Sequence, residues 1–259
     1  MSAPRRVLIP GGSAGIGLAA ARLMLENGAR VVIAGRSAGR GARALDMLSA
    51  AGSGGHGGED RASFIECEAG DAASCMAMVE EAASRLGGID TLISTAGGNP
   101  RPCLLKDIPT DALMGHINRS LAPTILPARA VLPVMTEGGG GAIVCLASDA
   151  GKLATPGETA IGAAMAGIMM FCRAMAQEAK RQGIRVNCIT PSIVEGTELH
   201  DDLMADPFAG KLFGKAKSMA HLGVVQAEEV AALAAFLAGP GGARITGQTV
   251  SITGGISTI

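Results

Sequence analysis

Seven apolar runs of strand length, at residues 7–9, 31–34, 64–66, 91–94, 142–146, 185–189 and 249–252, recur along the 259-residue chain, separated by segments long enough for helices. Most of these runs are apolar at consecutive positions, so their strands are expected to be covered on both faces. Strands of that kind joined through helices pair in parallel, because each connection must cross back over the sheet. The predicted class is therefore α/β, a single doubly wound domain over residues 1–259. Glycine marks the joints at Gly28, at residues 138–141 and at residues 239–242. The stretch 53–58, with Glu59, Asp60 and Arg61 after it, reads as a solvated surface loop.

The first run leads directly into Pro10-Gly11-Gly12-Ser13-Ala14-Gly15-Ile16-Gly17, followed by an apolar helix pattern with Leu18, Leu23, Met24 and Leu25. Glycine at 11, 15 and 17 permits a tight turn, close approach of the backbone to a pyrophosphate, and close packing of the helix on the sheet. The helix N-terminus then offers free N–H groups to the anion. A glycine-rich turn of no function is the competing reading, and the second run weighs against it. An NAD-selective site would place a carboxylate after residues 31–34; here Gly35 takes that position and Arg36-Ser37 follow, which offers a guanidinium to a 2′-phosphate. NADP(H) is favoured over NAD(H).

Composition excludes several other classes. Net charge is −1, with no basic cluster and no aromatic platform, so nucleic acid is not an expected partner and a small metabolite is. The N-terminal apolar run is too short for a secretory signal, and the longest apolar stretch, residues 160–172, falls short of the roughly 18 residues a membrane span needs. A soluble, cytoplasmic protein is expected. Cys67, Cys75, Cys103, Cys145, Cys172 and Cys188 contain no CxxC pair, and the four histidines lack HExxH spacing. Free, mostly buried thiols and no metal site are expected.

These motifs, in this order, resemble those of the short-chain dehydrogenase/reductase family over nearly the whole chain. Gly11 to Gly17 is similar to its phosphate loop, Glu68-Ala69-Gly70-Asp71 to its adenine-side stretch, and Ser94-Thr95-Ala96-Gly97 to its NNAG motif. Asn118 falls where the family has its helix asparagine, Ser148 on its catalytic serine, Pro191-Ser192 on its PG motif, and Ile245-Thr246-Gly247-Gln248 with Gly254-Gly255 on its closing motifs. The resemblance implies a Rossmann-type fold, a homodimer or homotetramer, and a cofactor held by Gly11, Ser13, Gly15, Ile16, Gly17, Arg36, Ser37, Glu68, Ala69, Ala96, Gly97, Pro191 and Ile193. It also implies catalytic roles for Ser148 and Asn118, and a substrate cover in residues 195–221.

In similar family members a tyrosine is the general acid or base, and a lysine one helical turn later lowers its pKa. This chain contains no tyrosine at all, and the two positions hold Ile161 and Met165. Isoleucine has no exchangeable proton, and a thioether is only a weak acceptor. A positioned proton donor typically contributes about 10²–10⁴ in rate, so the inherited route should be severely slowed. Pro10, Ser94-Thr95, Ser192 and Glu68 also depart from the family pattern; Pro10 in particular lacks an N–H that would brace the loop. Weakened rather than abolished cofactor binding is expected.

Asp149, Lys152, Lys106, His116, Glu158, Glu195 and His200 are the ionisable residues in segments that border the implied crevice. Each reads first as a solvated surface charge; Lys152 and Glu158 are the first to test as replacement acids or bases. Ser148 without a base is a poor nucleophile, which leaves hydrolysis unsupported. Three readings stay open: an NADP(H)-dependent oxidoreductase acting on a carbonyl or alcohol by a non-standard proton source, a catalytically inactive nucleotide-binding homologue or supporting subunit, and a non-redox elimination or isomerisation.

Overall fold

A computed structural model of the chain describes residues 4–51, 61–97 and 100–259. The glycine-rich stretch 53–58 lies outside the described residues. All seven predicted strands are present: β1 (Arg6–Pro10), β2 (Arg30–Gly35), β3 (Ala62–Glu66), β4 (Thr91–Ser94), β5 (Gly141–Leu146), β6 (Ile184–Pro191) and, near the C-terminus, Thr249–Ile252. They form one parallel sheet in the order β3-β2-β1-β4-β5-β6 followed by the Thr249–Ile252 strand. The chain reverses its direction of travel across the sheet between β1 and β4, where Val7 pairs with both Val31 and Thr91. That switch point opens a crevice at the C-terminal ends of the strands.

Alternation within each strand divides the core between the two faces. Leu8, Val32, Leu92, Ile143 and Val186 pack beneath α3 (Ala72–Leu86), α4 (Leu113–Glu137) and α5 (Thr159–Ala179). Val7, Ile9, Val31, Ile33, Ile93 and Val144 pack beneath α1 (Gly15–Glu26), α2 (Ala38–Ala51) and a helix at Ala227–Ala238. Each large aliphatic side chain taken wholly out of water contributes about 1.5–3 kcal/mol before ordering costs. The cysteines are free, five of them buried and Cys103 half-buried.

Arginines secure the opposite rim, where the strands begin. Arg6 donates from its backbone N and from Nε to Asp90 Oδ2, each at 3.0 Å. Burial pushes the Asp90 carboxyl up, but the hydrogen bonds and charge of Arg6 outweigh it and hold the group below the usual carboxylate range. Arg30 donates to the carbonyls of Leu86 and Arg85 at 3.0 and 2.8 Å. Arg185 gathers the carbonyls of Leu237, Gly242, Ile245 and Ala238 at 2.6 to 3.2 Å, closing the end of the Ala227–Ala238 helix.

The segment expected to cover the crevice is two helices. After the short strand β7 (Val194–Glu195), α6 (Glu198–Ala205) is capped by Thr197, which accepts from His200 N at 3.1 Å. Then α7 (Pro207–Met219) is capped by Asp206, which accepts from Phe208 N and Ala209 N at 2.9 and 2.8 Å. Among the described residues, Thr159–Gln182 is long and apolar enough to cross a membrane by length and composition, and half of that window is buried against the rest of the chain.

Candidate active site

The chain leaves β1 at Pro10 and turns at Gly11, whose φ of +83° favours glycine. A Cβ on Gly11 would stand 2.6 Å from Ala96 N, and one on Gly17 would collide with the Gly11 carbonyl and with Thr95 Oγ1. The loop is thus folded so tightly that only backbone fits. The brace expected to be missing at Pro10 has a counterpart on its carbonyl, which accepts both the N–H and the hydroxyl of Thr95 at 2.9 Å. Thr95, a departure from the family motif, therefore ties the loop to β4. Ala14 precedes α1 in an extended conformation with no side-chain cap, and the first turn carries no acid. Its backbone N–H groups and the positive end of the helix are left for an anion.

At the end of β2, a Cβ on Gly35 would lie 3.1 Å from Ser13 Oγ, so the position expected to carry an acid abuts the phosphate loop. Arg36 beside it is 69% exposed and 4.0 Å from Glu68 Oε2. A second cation, unnoticed in the sequence, is Arg40: its backbone N donates to Ser37 Oγ at 3.3 Å, and its Nη2 lies 2.9 Å from Glu198 Oε2 on α6. The adenine-side stretch is an ordered turn, with Gly70 N donating to Glu68 Oε1 at 3.1 Å, Asp71 capping α3 through Ser74 N at 2.8 Å, and Ala69 buried. Pro191 ends β6 in register with Ile252, and Ile193 beyond it is buried.

Asn118 is exposed on α4. Two residues on, Ser120 is buried, one helical turn before Thr124, whose hydroxyl donates to the Ala96 carbonyl at 3.5 Å. Positions four apart share a helix face and positions two apart do not. Ser120, rather than Asn118, is thus on the face turned toward the Ser94–Gly97 segment. No motif in the sequence singles out Ser120.

Ser148, two residues past β5, caps the 3-10 turn Asp149–Gly151 by accepting from Ala150 N at 3.2 Å, which leaves its O–H to donate. This turn lies directly on the start of α5: a Cβ on Gly162 would be 2.7 Å from the Ala150 carbonyl, and one on Gly151 2.7 Å from Ala166 N. Ile161 is half-buried against the core, and Met165 is 9% exposed within it. Met169 is likewise buried, whereas Met170 is exposed.

Three residues first read as solvated charges, Lys152, Asp149 and Glu158, are at least half-buried. Lys152 is 15% exposed; it donates to Ser251 Oγ and, at 2.8 Å, to the Ile259 carbonyl, and lies 3.9 Å from Asp149 Oδ1. Asp149 is 4% exposed at its side chain, and neither carboxylate oxygen has a hydrogen-bond partner. Glu158, half-buried, does not cap its own helix. Burial pushes its carboxyl above the ordinary range, a hydrogen bond from Thr155 pulls the other way, and the Asp149 charge adds to the rise. Lys106, by contrast, is exposed and paired with Asp107 at 2.8 Å.

Three segments meet over this corner. Cys103 N donates to the Gly157 carbonyl at 2.7 Å, and a Cβ on Gly157 would be 2.7 Å from Phe208 of α7 and 3.4 Å from Pro102. Farther along, Thr197 at the head of α6 covers Gly15, its methyl 3.2 Å from where a Cβ would stand. A parallel sheet with a glycine loop at its switch point is the architecture of a dinucleotide-binding domain.

The family model described as enoyl-(acyl carrier protein) reductase matches residues 11–257. The chain is 31% identical over 256 residues to a 3-oxoacyl-[acyl-carrier-protein] reductase of Chlamydia pneumoniae, covering 98% of this chain and 97% of the other. It is 28% identical to the momilactone A synthase of Oryza sativa subsp. japonica, covering 97% and 89%. Among solved structures, an NADPH-bound short chain oxidoreductase with an atypical catalytic center from Pseudomonas aeruginosa PAO1 superposes with a TM-score of 0.86 at 30% identity, covering 98% and 97%. The chain belongs to the short-chain dehydrogenase/reductase family.

Proposed function

We propose that the protein binds NADP(H) and uses it to interconvert a small carbonyl compound and its alcohol, with a proton source other than the family's tyrosine. The observation that carries the reading is at the end of β2, where Gly35 replaces a carboxylate and Arg36 and Arg40 stand beside the uncapped start of α1. A 2′-phosphate there meets two guanidiniums and no acid in the position that would hold a ribose hydroxyl. The cradle fits a dinucleotide because Gly11 and Gly17 leave the phosphate path free of side chains. The nicotinamide supplies or accepts a hydride when bound. Ser148 donates its O–H to the substrate oxygen and polarises it. Phe208 and Pro102 border the corner at Gly157 where the substrate would sit. The reading includes a small-molecule substrate, a cytoplasmic location and a homodimer or homotetramer.

The titration that tests it compares NADPH with NADH by calorimetry. NADPH is expected to bind at least about 10-fold more tightly, the effect of one charge-assisted contact. Equal affinity, or none for either nucleotide, rejects it.

A second reading, a nucleotide-binding homologue without catalysis, is favoured by the burial of Met165 in the hydrophobic core. Turnover of any ketone by the purified protein eliminates it.

A further inference from the structure

Ser148 accepts from Ala150 N at 3.2 Å across the turn Asp149-Ala150-Gly151. That bond aims the free Ser148 O–H, so the aim is only as steady as the turn. The seat of the turn on α5 is made by backbone and small residues, at Gly151 against Ala166 N and at Gly162 against the Ala150 carbonyl.

The next residue, Lys152, adds an anchor of another kind. Its backbone N donates to the Asp149 carbonyl at 2.8 Å, while its side chain crosses to the far end of the chain. There Nζ donates to Ser251 Oγ, on the Thr249–Ile252 strand, and to the Ile259 carbonyl at 2.8 Å. Ser251 Oγ donates to the same carbonyl at 2.9 Å, so ammonium, hydroxyl and carbonyl close a triangle. Strand register fixes Ser251 opposite Thr190 of β6. The segment after the strand folds back, with Ile256 N on the Thr253 carbonyl at 3.2 Å and Thr253 Oγ1 on the Ser257 carbonyl at 3.0 Å. Asp149 completes the cluster: its carboxylate is 4% exposed, and the Lys152 ammonium 3.9 Å away balances its charge. A buried charge costs stability unless it is paired and hydrogen-bonded, and an apolar pair of similar volume would fill the same space with less penalty.

We propose that Lys152 is a positioning residue: it pins the Ser148 turn to the last strand, and it acts through Ser148 without touching substrate or nucleotide. This role rests on the oxidoreductase reading above. Polarising a carbonyl requires the Ser148 hydroxyl at a fixed place, and a misplacement of about 1 Å can cost up to about 10²-fold in rate. The order of the turn thus depends on partners 99 and 107 positions further along the chain.

The test uses the whole protein as wild type, K152M, K152R, S251A and the double variant K152M/D149N. Each is measured for melting temperature, NADPH affinity, kcat and KM over a panel of ketones, and hydrogen exchange at the Ala150 amide. K152M leaves the buried Asp149 unbalanced and is expected to melt at lower temperature, whereas K152M/D149N removes both charges and recovers the loss. Both are expected to lose about 10-fold in kcat with KM and NADPH affinity unchanged, and to exchange the Ala150 amide faster than wild type. K152R keeps the charge and its donors and so retains part of kcat; S251A removes one of two acceptors and loses less than K152M. Wild-type kcat in a stable K152M/D149N overturns the inference, makes the ion pair a purely structural one, and leaves the cofactor reading standing. Unchanged kcat and Ala150 exchange in S251A overturn it too, whatever the stability of the double variant. NADPH binding with no ketone reduced by wild type also overturns it, because Ser148 then serves no reaction. Failure to bind either nucleotide instead removes the functional reading, and the inference with it.

Discussion

The loop from Pro10 to Gly17 and the helix start from Glu158 to Met165 border the same crevice, yet they have fared differently. In the first, binding is done by backbone atoms, and geometry polices the sequence: a side chain at Gly11 or Gly17 would overlap Ala96 N or the Gly11 carbonyl. In the second, the family's chemistry depends on the tips of two side chains, while the helix needs only residues that pack. Ile161 and Met165 satisfy the packing and abolish the tips. A site made of main chain resists drift because drift unfolds it; a site made of side-chain ends can be erased while the fold remains intact.

Reversing the erased region should have the largest effect. Met165→Lys places an ammonium in the core and is expected to cost on the order of 3 kcal/mol in chemical denaturation, because the buried charge has no partner there. An unchanged midpoint would mean that the helix start is wetter than its burial indicates, and the contrast would weaken. Gly17→Ala challenges the other region. It should lose about 2 kcal/mol of stability and at least about 10-fold in NADPH affinity, as loop and helix are forced apart.

A smaller effect sharpens the contrast by separating charge from shape. Arg36→Ala, at a side chain 69% exposed, should weaken NADPH by about 10-fold and leave NADH untouched in a fluorescence titration. Equal losses for both nucleotides would place Arg36 on something other than the 2′-phosphate. The smallest is the control at the far rim. Asp90→Asn should cost about 1 kcal/mol at neutral pH without altering NADPH affinity. Because Asp90 has its pKa lowered in the folded state, its contribution is present above the ordinary carboxylate value and is lost as pH falls through the lowered one. The difference between wild type and variant should therefore shrink in acid.

The seven strands and the glycine loop were legible because each is a local pattern: a run apolar at consecutive positions, or glycine at fixed spacing after such a run. The two cover helices were not, although Thr197 and the Asp206-Pro207 pair carry ordinary start signals, because α6 and α7 are short and bury few residues. Asn118 was named from motif position, which says which residue type to seek, whereas burial of Ser120 on the Thr124 face of α4 is visible only in the folded helix. The partners of Lys152 come from the far end of the chain, at Ser251 and Ile259.

The arginine contacts at Asp90, Leu86 and the end of the Ala227–Ala238 helix all lie where strands begin, a full sheet-length from the crevice. Part of the fold's anchoring is thus placed at the rim farthest from the crevice. A substitution confined to that rim is expected to move the melting temperature and leave nucleotide affinity as it was, whereas one in the glycine loop moves both.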